Sequence, residues 1–144
     1  MKWTPYYQAN HTKNWLVLKQ LFFWIALFWT LAIAFFCLIK ASNIPDITVS
    51  IPNLDKIVHA FFHFSFTILW FLFFQKHYKE ANSIKWLIIT VFLSICFGIT
   101  IEILQELFTT TRKADVFDVL ANFSGAMLAS GLILYLKKQK SNLI

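Results

Sequence analysis

Hydrophobic residues along this chain are gathered into four long runs with short polar segments between them. The runs cover residues 21–39, 57–75, 86–108 and 116–136. Each run approaches or exceeds the roughly 20 residues that an α-helix needs to cross about 30 Å of hydrocarbon. Backbone groups inside lipid must be hydrogen-bonded within a helix or a closed barrel, and these runs are too long and too uniformly apolar for barrel strands. The pattern therefore predicts four transmembrane helices.

The composition is typical of a membrane protein and excludes other classes. Hydrophobic residues make up 58% of the 144 residues and charged residues 14%, whereas an average globular protein has about 25% charged residues. A water-soluble domain of this size cannot bury so much apolar surface. We therefore expect an all-α, polytopic membrane protein that forms a four-helix transmembrane bundle. The net charge of +6 comes from short basic clusters beside the runs rather than from a basic stripe, so no nucleic-acid partner is expected.

Basic residues are distributed unequally between the two sides of the predicted membrane. Nine Lys residues lie on the side of the termini, and four Lys or Arg residues lie on the opposite side. Because cytoplasmic loops are enriched in Lys and Arg, we expect both termini in the cytoplasm. Residues 1–20 are then a cytoplasmic segment with interfacial aromatic residues, residues 21–136 the membrane domain, and residues 137–144 a basic cytoplasmic tail.

The acidic residues show the opposite distribution, and they point to a candidate site. Six of the seven fall in the outer half, where the start of the second run, the end of the third and the start of the fourth meet. Residues three or four positions apart share one helix face, which predicts three polar stripes: Asp55, His59 and His63; Glu102, Gln105 and Glu106; and Asp115, Asp118 and Asn122. Ionisable residues within a span are costly and indicate function. The alternative is a structural network that only holds the helices together.

Two further patterns bear on packing and on metal binding. Ala121, Gly125 and Ala129 form a face of small residues on the fourth run, which predicts close helix packing. His59 and His63 have the i, i+4 spacing of helical zinc ligands, but the glutamate-bearing helical zinc motif is absent. We therefore predict neither a metal nor a cofactor.

At these residues the sequence resembles the VanZ-like family of small multi-span bacterial membrane proteins. The resemblance covers roughly residues 51–136. It is carried by Asp55-Lys56-x-x-His59, by Glu102-x-x-Gln105, and by Arg112, Asp118, Asn122 and Gly125 at the family's intervals. With these motifs the candidate polar functional cluster comprises Asp55, Lys56, His59, Glu102, Gln105, Arg112, Asp118 and Asn122. The family's namesake is linked to low-level resistance to the glycopeptide teicoplanin, by a mechanism that the resemblance does not supply.

The resemblance implies a protein of the bacterial inner membrane that acts at the outer leaflet on the cell envelope or its lipids, with a role in glycopeptide resistance open. Membrane lipids are the expected partners, and Arg112 is the candidate contact for an anionic head group. Two alternatives remain. One is a small membrane enzyme in which His59 or Glu102 acts as general base on an outer-leaflet lipid ester. The other is a structural or assembly subunit that binds a membrane-protein partner or a second copy of itself.

Overall fold

The computed structural model describes residues 5–39, 53–78, 83–108 and 115–142, with side chains described from residue 17 onward. It contains four α-helices in this part of the chain. They are α1 (Pro5–Leu38), α2 (Leu54–Tyr78), α3 (Ser83–Phe108) and α4 (Val116–Asn142). All four are long and apolar enough to cross a membrane. The prediction of an all-α, multi-pass membrane protein is therefore confirmed.

The helices extend beyond the apolar runs at several ends. Helix α1 begins at Pro5, although its candidate span is Val17–Leu38. Helix α4 continues to Asn142, so the predicted basic tail at 137–144 forms its last turns within the described residues. Helical hydrogen bonding does not stop where the hydrocarbon ends, whereas a hydropathy pattern records only the apolar stretch. The cytoplasmic assignment of these two ends stays a prediction.

Helices α2 and α3 occupy the centre of the bundle. Each packs against the other and against both outer helices, while α1 and α4 are not in contact within the described residues. The most extensive contact joins α2 and α4. It depends on Gly125, since a methyl group there would come within 2.0 Å of the carbonyl oxygen of Ala60. Of the other two residues of the predicted small-residue face, Ala129 is fully buried and Ala121 is half-buried.

The distribution of polar and apolar side chains is inverted relative to a water-soluble bundle. Large apolar residues cover the outside, and Phe28 is 71% exposed. Such a surface suits a hydrocarbon solvent, in which exposed apolar groups carry no penalty. Many polar residues are buried instead. They include His59, His63, Thr67, Thr90, Ser94, Glu102, Gln105, Asp118, Asn122 and Ser130.

Two apolar clusters fill the rest of the interior. The first lies among α1, α2 and α3 and contains Ile33, Cys37, Phe66 and Ile101. The second lies among α2, α3 and α4 and contains Phe71, Trp86, Leu87 and Ile133. The second cluster continues into stacked aromatic rings at one end of the bundle. The buried polar groups of the other end form the candidate site.

Candidate functional site

The start of α2, the end of α3 and the start of α4 meet at one end of the bundle. Lys56 joins α2 to the beginning of α4, because its Nζ donates to Oδ2 of Asp115 at 2.9 Å and to Oδ1 of Asp118 at 3.0 Å. Around this ion pair lies a group of side chains that we call the polar cluster. It consists of Asp55, Lys56, His59, Glu102, Asp115, Asp118 and Asn122.

Local helix chemistry explains part of this arrangement. Asp115 caps α4, since its Oδ1 accepts the backbone N–H of Phe117 at 2.8 Å and its carbonyl accepts that of Asp118 at 3.0 Å. An Asp side chain at this position satisfies a backbone donor that the helix leaves unpaired. Asp55 and Asp118 lie in the first turns of α2 and α4, where the helix dipole favours negative charge.

His59 lies at the centre of the polar cluster, and its side chain is only 3% exposed. Its Nδ1 is 3.1 Å from Oδ1 of Asn122 and 3.8 Å from Oε1 of Glu102. Its Nε2 faces two further carboxylates, at 3.9 Å from Oδ1 of Asp55 and 4.0 Å from Oδ2 of Asp118. Acidic groups from three helices therefore converge on one imidazole ring.

Two atoms at the floor of the polar cluster lack a hydrogen-bond partner. Oε2 of Glu102 accepts the backbone N–H of Asp115 at 3.3 Å. Its other oxygen, Oε1, and Nδ2 of Asn122 are both buried and have no partner in the described part of the chain. Buried polar atoms of proteins are nearly always hydrogen-bonded, and an exception calls for a water, an ion or a ligand.

The polar cluster is exposed at one side, which we call its mouth, and buried at the other, its floor. The side chain of Asp55 is 55% exposed, whereas that of His59 is 3% exposed. Lys56 and Asp115 are half-buried and lie with Asp55 at the mouth. The ammonium group of Lys56 and the backbone N–H of Phe117 hold the pKa of Asp115 below its ordinary value.

The structure brings together six of the eight predicted site residues: Asp55, Lys56, His59, Glu102, Asp118 and Asn122. The described hydrogen bond of Gln105 is made to a residue outside this group. Its Nε2 donates to the carbonyl of Cys37 at 2.8 Å, in the last turn of α1, where helix carbonyls lack partners within the helix. Gln105 thus fastens the end of α1 to α3. Arg112, the predicted anion contact, lies outside the described residues.

The two histidines of α2 have different partners. Nδ1 of His63 is 2.8 Å from Oγ of Ser94, whereas His59 faces Asn122 and the carboxylates. Gly98 makes room for both sites, because a methyl group there would lie 2.9 Å from Nδ2 of Asn122 and 3.0 Å from Cε1 of His63. A zinc site shared by His59 and His63, considered above from their spacing, does not match these contacts.

Sequence reasoning named Asp115 in a polar stripe but left it out of the candidate cluster, and it missed Ser94 and Gly98, which also shape the site. Asp115 stands directly before an apolar run, which is a helix N-cap signal. Ser94 and Gly98 are small residues four positions apart in a predicted span, the same pattern that marked helix packing on the fourth run. Each signal was present in the sequence, but none identified the neighbour on another helix.

The fold and the polar cluster define a multi-pass α-helical membrane protein whose ionisable groups are gathered at one end. The chain matches the VanZ/LLP1 family over residues 2–137. It therefore belongs to that family, and the resemblance stated above is confirmed.

Comparison with curated proteins gives one similar sequence. It is an uncharacterized protein of Schizosaccharomyces pombe, 34% identical over 90 residues, which are 62% of this chain and 52% of that protein. The chain thus spans about half the length of this relative. Because the relative is eukaryotic, the similarity does not point to a bacterial membrane in particular. No solved structure matches the chain.

Proposed function

We propose that the polar cluster binds the head group of an outer-leaflet membrane lipid and that the protein acts on the cell envelope through this lipid. The observation that carries the proposal is the pair of unpartnered buried atoms, Oε1 of Glu102 and Nδ2 of Asn122. They provide an acceptor and a donor at the buried side of the polar cluster. A network that only held the helices together would have its buried atoms paired.

The position of the polar cluster suits a head group. It lies at helix ends rather than at mid-span, and its mouth is open beside Asp55. The acyl chains of a lipid would lie against the apolar outer faces of the helices, while its polar part reached inward toward Glu102. Ionisable groups at such a depth are costly unless they serve a ligand or a pathway.

The outer-leaflet assignment rests on the distribution of basic residues. We expect reporter proteins that are active only outside the cytoplasm to be active when fused at Thr48 or Lys113 and silent when fused at Lys79. Activity at Lys79 would reverse the topology. The polar cluster would then face the cytoplasm, and an outer-leaflet lipid would be the wrong ligand.

Glu102→Gln tests the role of the polar cluster, since it keeps the shape of the side chain and removes its charge. Purification in mild detergent followed by mass spectrometry should identify a lipid that accompanies the wild-type protein and is depleted at least tenfold in the variant, the equivalent of about 1.4 kcal/mol. Membrane abundance and thermal stability should stay near those of wild type. Teicoplanin susceptibility of expressing cells should change with lipid binding if the lipid belongs to the envelope target.

Glu106→Gln is the matched control, because Glu106 is exposed and lies one turn beyond Glu102 on the same helix. It should retain the lipid. Equal lipid content in wild type and Glu102→Gln would contradict the proposal. A co-purifying protein in fixed stoichiometry would favour the assembly subunit instead.

Catalysis is the second candidate function, favoured by the 3.8 Å separation between Nδ1 of His59 and Oε1 of Glu102. A carboxylate beside an imidazole is suited to proton transfer. Release of a fatty acid or a head group from the co-purified lipid, lost in Glu102→Gln, would establish an enzyme. If the lipid is unchanged, the result would favour lipid binding without catalysis.

A further inference from the structure

We propose that Asp55, His59 and Asp118 bind a divalent transition-metal ion at the mouth of the polar cluster. Each of these residues offers one ligand atom, and the three atoms lie within 4.8 Å of one another. Nε2 of His59 is 3.9 Å from Oδ1 of Asp55 and 4.0 Å from Oδ2 of Asp118, too far for hydrogen bonds. Ligands bound at about 2.0–2.2 Å with angles of about 109–120° lie about 3.3–3.8 Å apart, so a shift of a few tenths of an ångström would bring these atoms around one ion.

The contacts of Nδ1 of His59 determine which of the two ring nitrogens is available to an ion. Both groups that face Nδ1, Oδ1 of Asn122 at 3.1 Å and Oε1 of Glu102 at 3.8 Å, are hydrogen-bond acceptors. They favour a proton on Nδ1, which leaves the lone pair on Nε2. That lone pair then faces two carboxylate oxygens. The lone pair and the oxygens repel one another unless a cation lies between them. Metal-binding histidines are commonly oriented in this way by an acceptor on the other nitrogen.

The charge balance of the polar cluster points independently to a cation. Among the described residues, the polar cluster holds four acids, Asp55, Glu102, Asp115 and Asp118, and one ammonium group. That group, Nζ of Lys56, contacts Asp115 and Oδ1 of Asp118, not the Oδ2 that faces His59. Oε1 of Glu102 is buried and unpartnered. Ionising a buried carboxyl group without a partner is costly, and a divalent ion beside His59 would reduce that cost.

The donor set indicates the class of metal. One imidazole nitrogen with two carboxylate oxygens suits Zn²⁺ or Mn²⁺, whereas Ca²⁺ and Mg²⁺ prefer oxygen alone. Three protein ligands leave a position for water or a ligand oxygen, as in open zinc sites. A phosphate oxygen of a lipid head group would fit there, and the ion would add positive charge to that of Lys56. This use of the ion rests on the proposed function, whereas binding of the ion does not.

Metal binding is tested on the purified full-length protein in detergent. After removal of metal with a chelator, titration with Mn²⁺ followed by electron paramagnetic resonance, and with Zn²⁺ by calorimetry, should reveal a single saturable site. Asp55→Asn and His59→Gln should each weaken binding by about tenfold or more, the scale seen when metal-site residues are changed. Because Asp55 is largely exposed, Asp55→Asn should fold normally even if His59→Gln does not.

His77→Gln serves as the control, since His77 is an exposed histidine at the opposite end of α2. Its affinity should equal that of wild type. The chelator should also lower the melting temperature of wild type and His77→Gln but not that of Asp55→Asn. Absence of a saturable site, or equal affinity in wild type and Asp55→Asn, would overturn the proposal. Lipid that co-purifies without metal would overturn the metal site but not the proposed function. Metal binding without co-purified lipid would support the metal site and contradict the proposed function.

Discussion

The two ends of the bundle are held together in different ways. At one end stands the polar cluster. At the other end lie stacked rings, which we call the aromatic end and define as Phe74, Tyr78 and Trp86. The ring centroids of Tyr78 and Trp86 are 4.2 Å apart and those of Phe74 and Trp86 are 5.3 Å apart, with interplanar angles of 8° and 19°.

The difference follows from what lipid can replace. Acyl chains solvate an aromatic ring almost as well as a neighbouring helix does, so stacking contributes packing energy but little discrimination between partners. Acyl chains offer no hydrogen-bond partner to His59 or Asp118, so these groups must find their partners inside the protein or in a bound ligand. A displaced helix should therefore destabilise the bundle most at the end that holds the polar cluster.

The largest effect should follow from separating α2 and α4 beside the polar cluster. Gly125→Ala places a methyl group within 2.0 Å of the carbonyl oxygen of Ala60. The helices must move apart, which strains the packing and stretches the contact between His59 and Asn122. We expect a loss of about 3 kcal/mol, the upper part of the usual range for overpacking, measured by thermal unfolding in detergent.

Gly131→Ala is the matched control on the same helix, because no atom lies within 4 Å of a methyl group added there. Its melting temperature should equal or slightly exceed that of wild type, since Ala has the higher helix propensity. Equal stability of the two alanine variants would mean that the close approach of α2 and α4 does not hold the bundle together.

An intermediate effect is expected at the aromatic end. Trp86→Leu removes the stacking with Tyr78 and Phe74 and should cost about 1 kcal/mol, while ligand binding at the polar end is unchanged. Trp24→Leu is the control, because Trp24 is 62% exposed and its ring makes an edge-on contact with the adjacent Phe23. If Trp86→Leu abolished binding at the polar cluster, the two ends would be coupled and the contrast drawn above would be wrong.

The smallest effect should come from the half-buried ion pair between Lys56 and Asp115. Lys56 lowers the pKa of Asp115 below its ordinary value of 3.8. A lowered carboxyl pKa stabilises the folded state above the ordinary value, and this contribution is lost as the pH falls through the lowered pKa. Asp115→Asn keeps a good N-cap residue and removes only the charge.

Melting temperatures of wild type and Asp115→Asn at several pH values test this contribution. Wild type should be slightly more stable near neutral pH, and the two curves should converge in acid. A difference that does not vary with pH would show that Asp115 acts through the cap alone.

The sequence predicted most of the fold and a good part of the site. Length and hydropathy are enough for four spans, because crossing hydrocarbon requires about 20 apolar residues in a helix. Because successive helices cross the membrane in opposite directions, the start of α2, the end of α3 and the start of α4 lie at the same face of the membrane. Asp55, His59, Glu102 and Asp118 could therefore be assigned to one end before any contact was known.

Pairing could not be predicted in the same way, because a polar stripe indicates which face of a helix turns inward but not which neighbour each of its side chains meets. A rotation of the helix by one residue position changes those contacts. Gln105 was assigned to the polar cluster from a motif, yet it bonds the carbonyl of Cys37. His63 stood in the same stripe as His59, yet it bonds Ser94.

The sequence by itself thus determined the membrane class, the four helices and the end of the bundle at which the acids gather, since these depend on hydropathy and chain direction alone. Only the tertiary structure decided that Lys56 bonds Asp115 and Asp118, and that His59 lies between carboxylates from three helices. Those contacts depend on how closely α4 approaches α2. That distance is set at Gly125, where the absence of a side chain lets one backbone rest on the other.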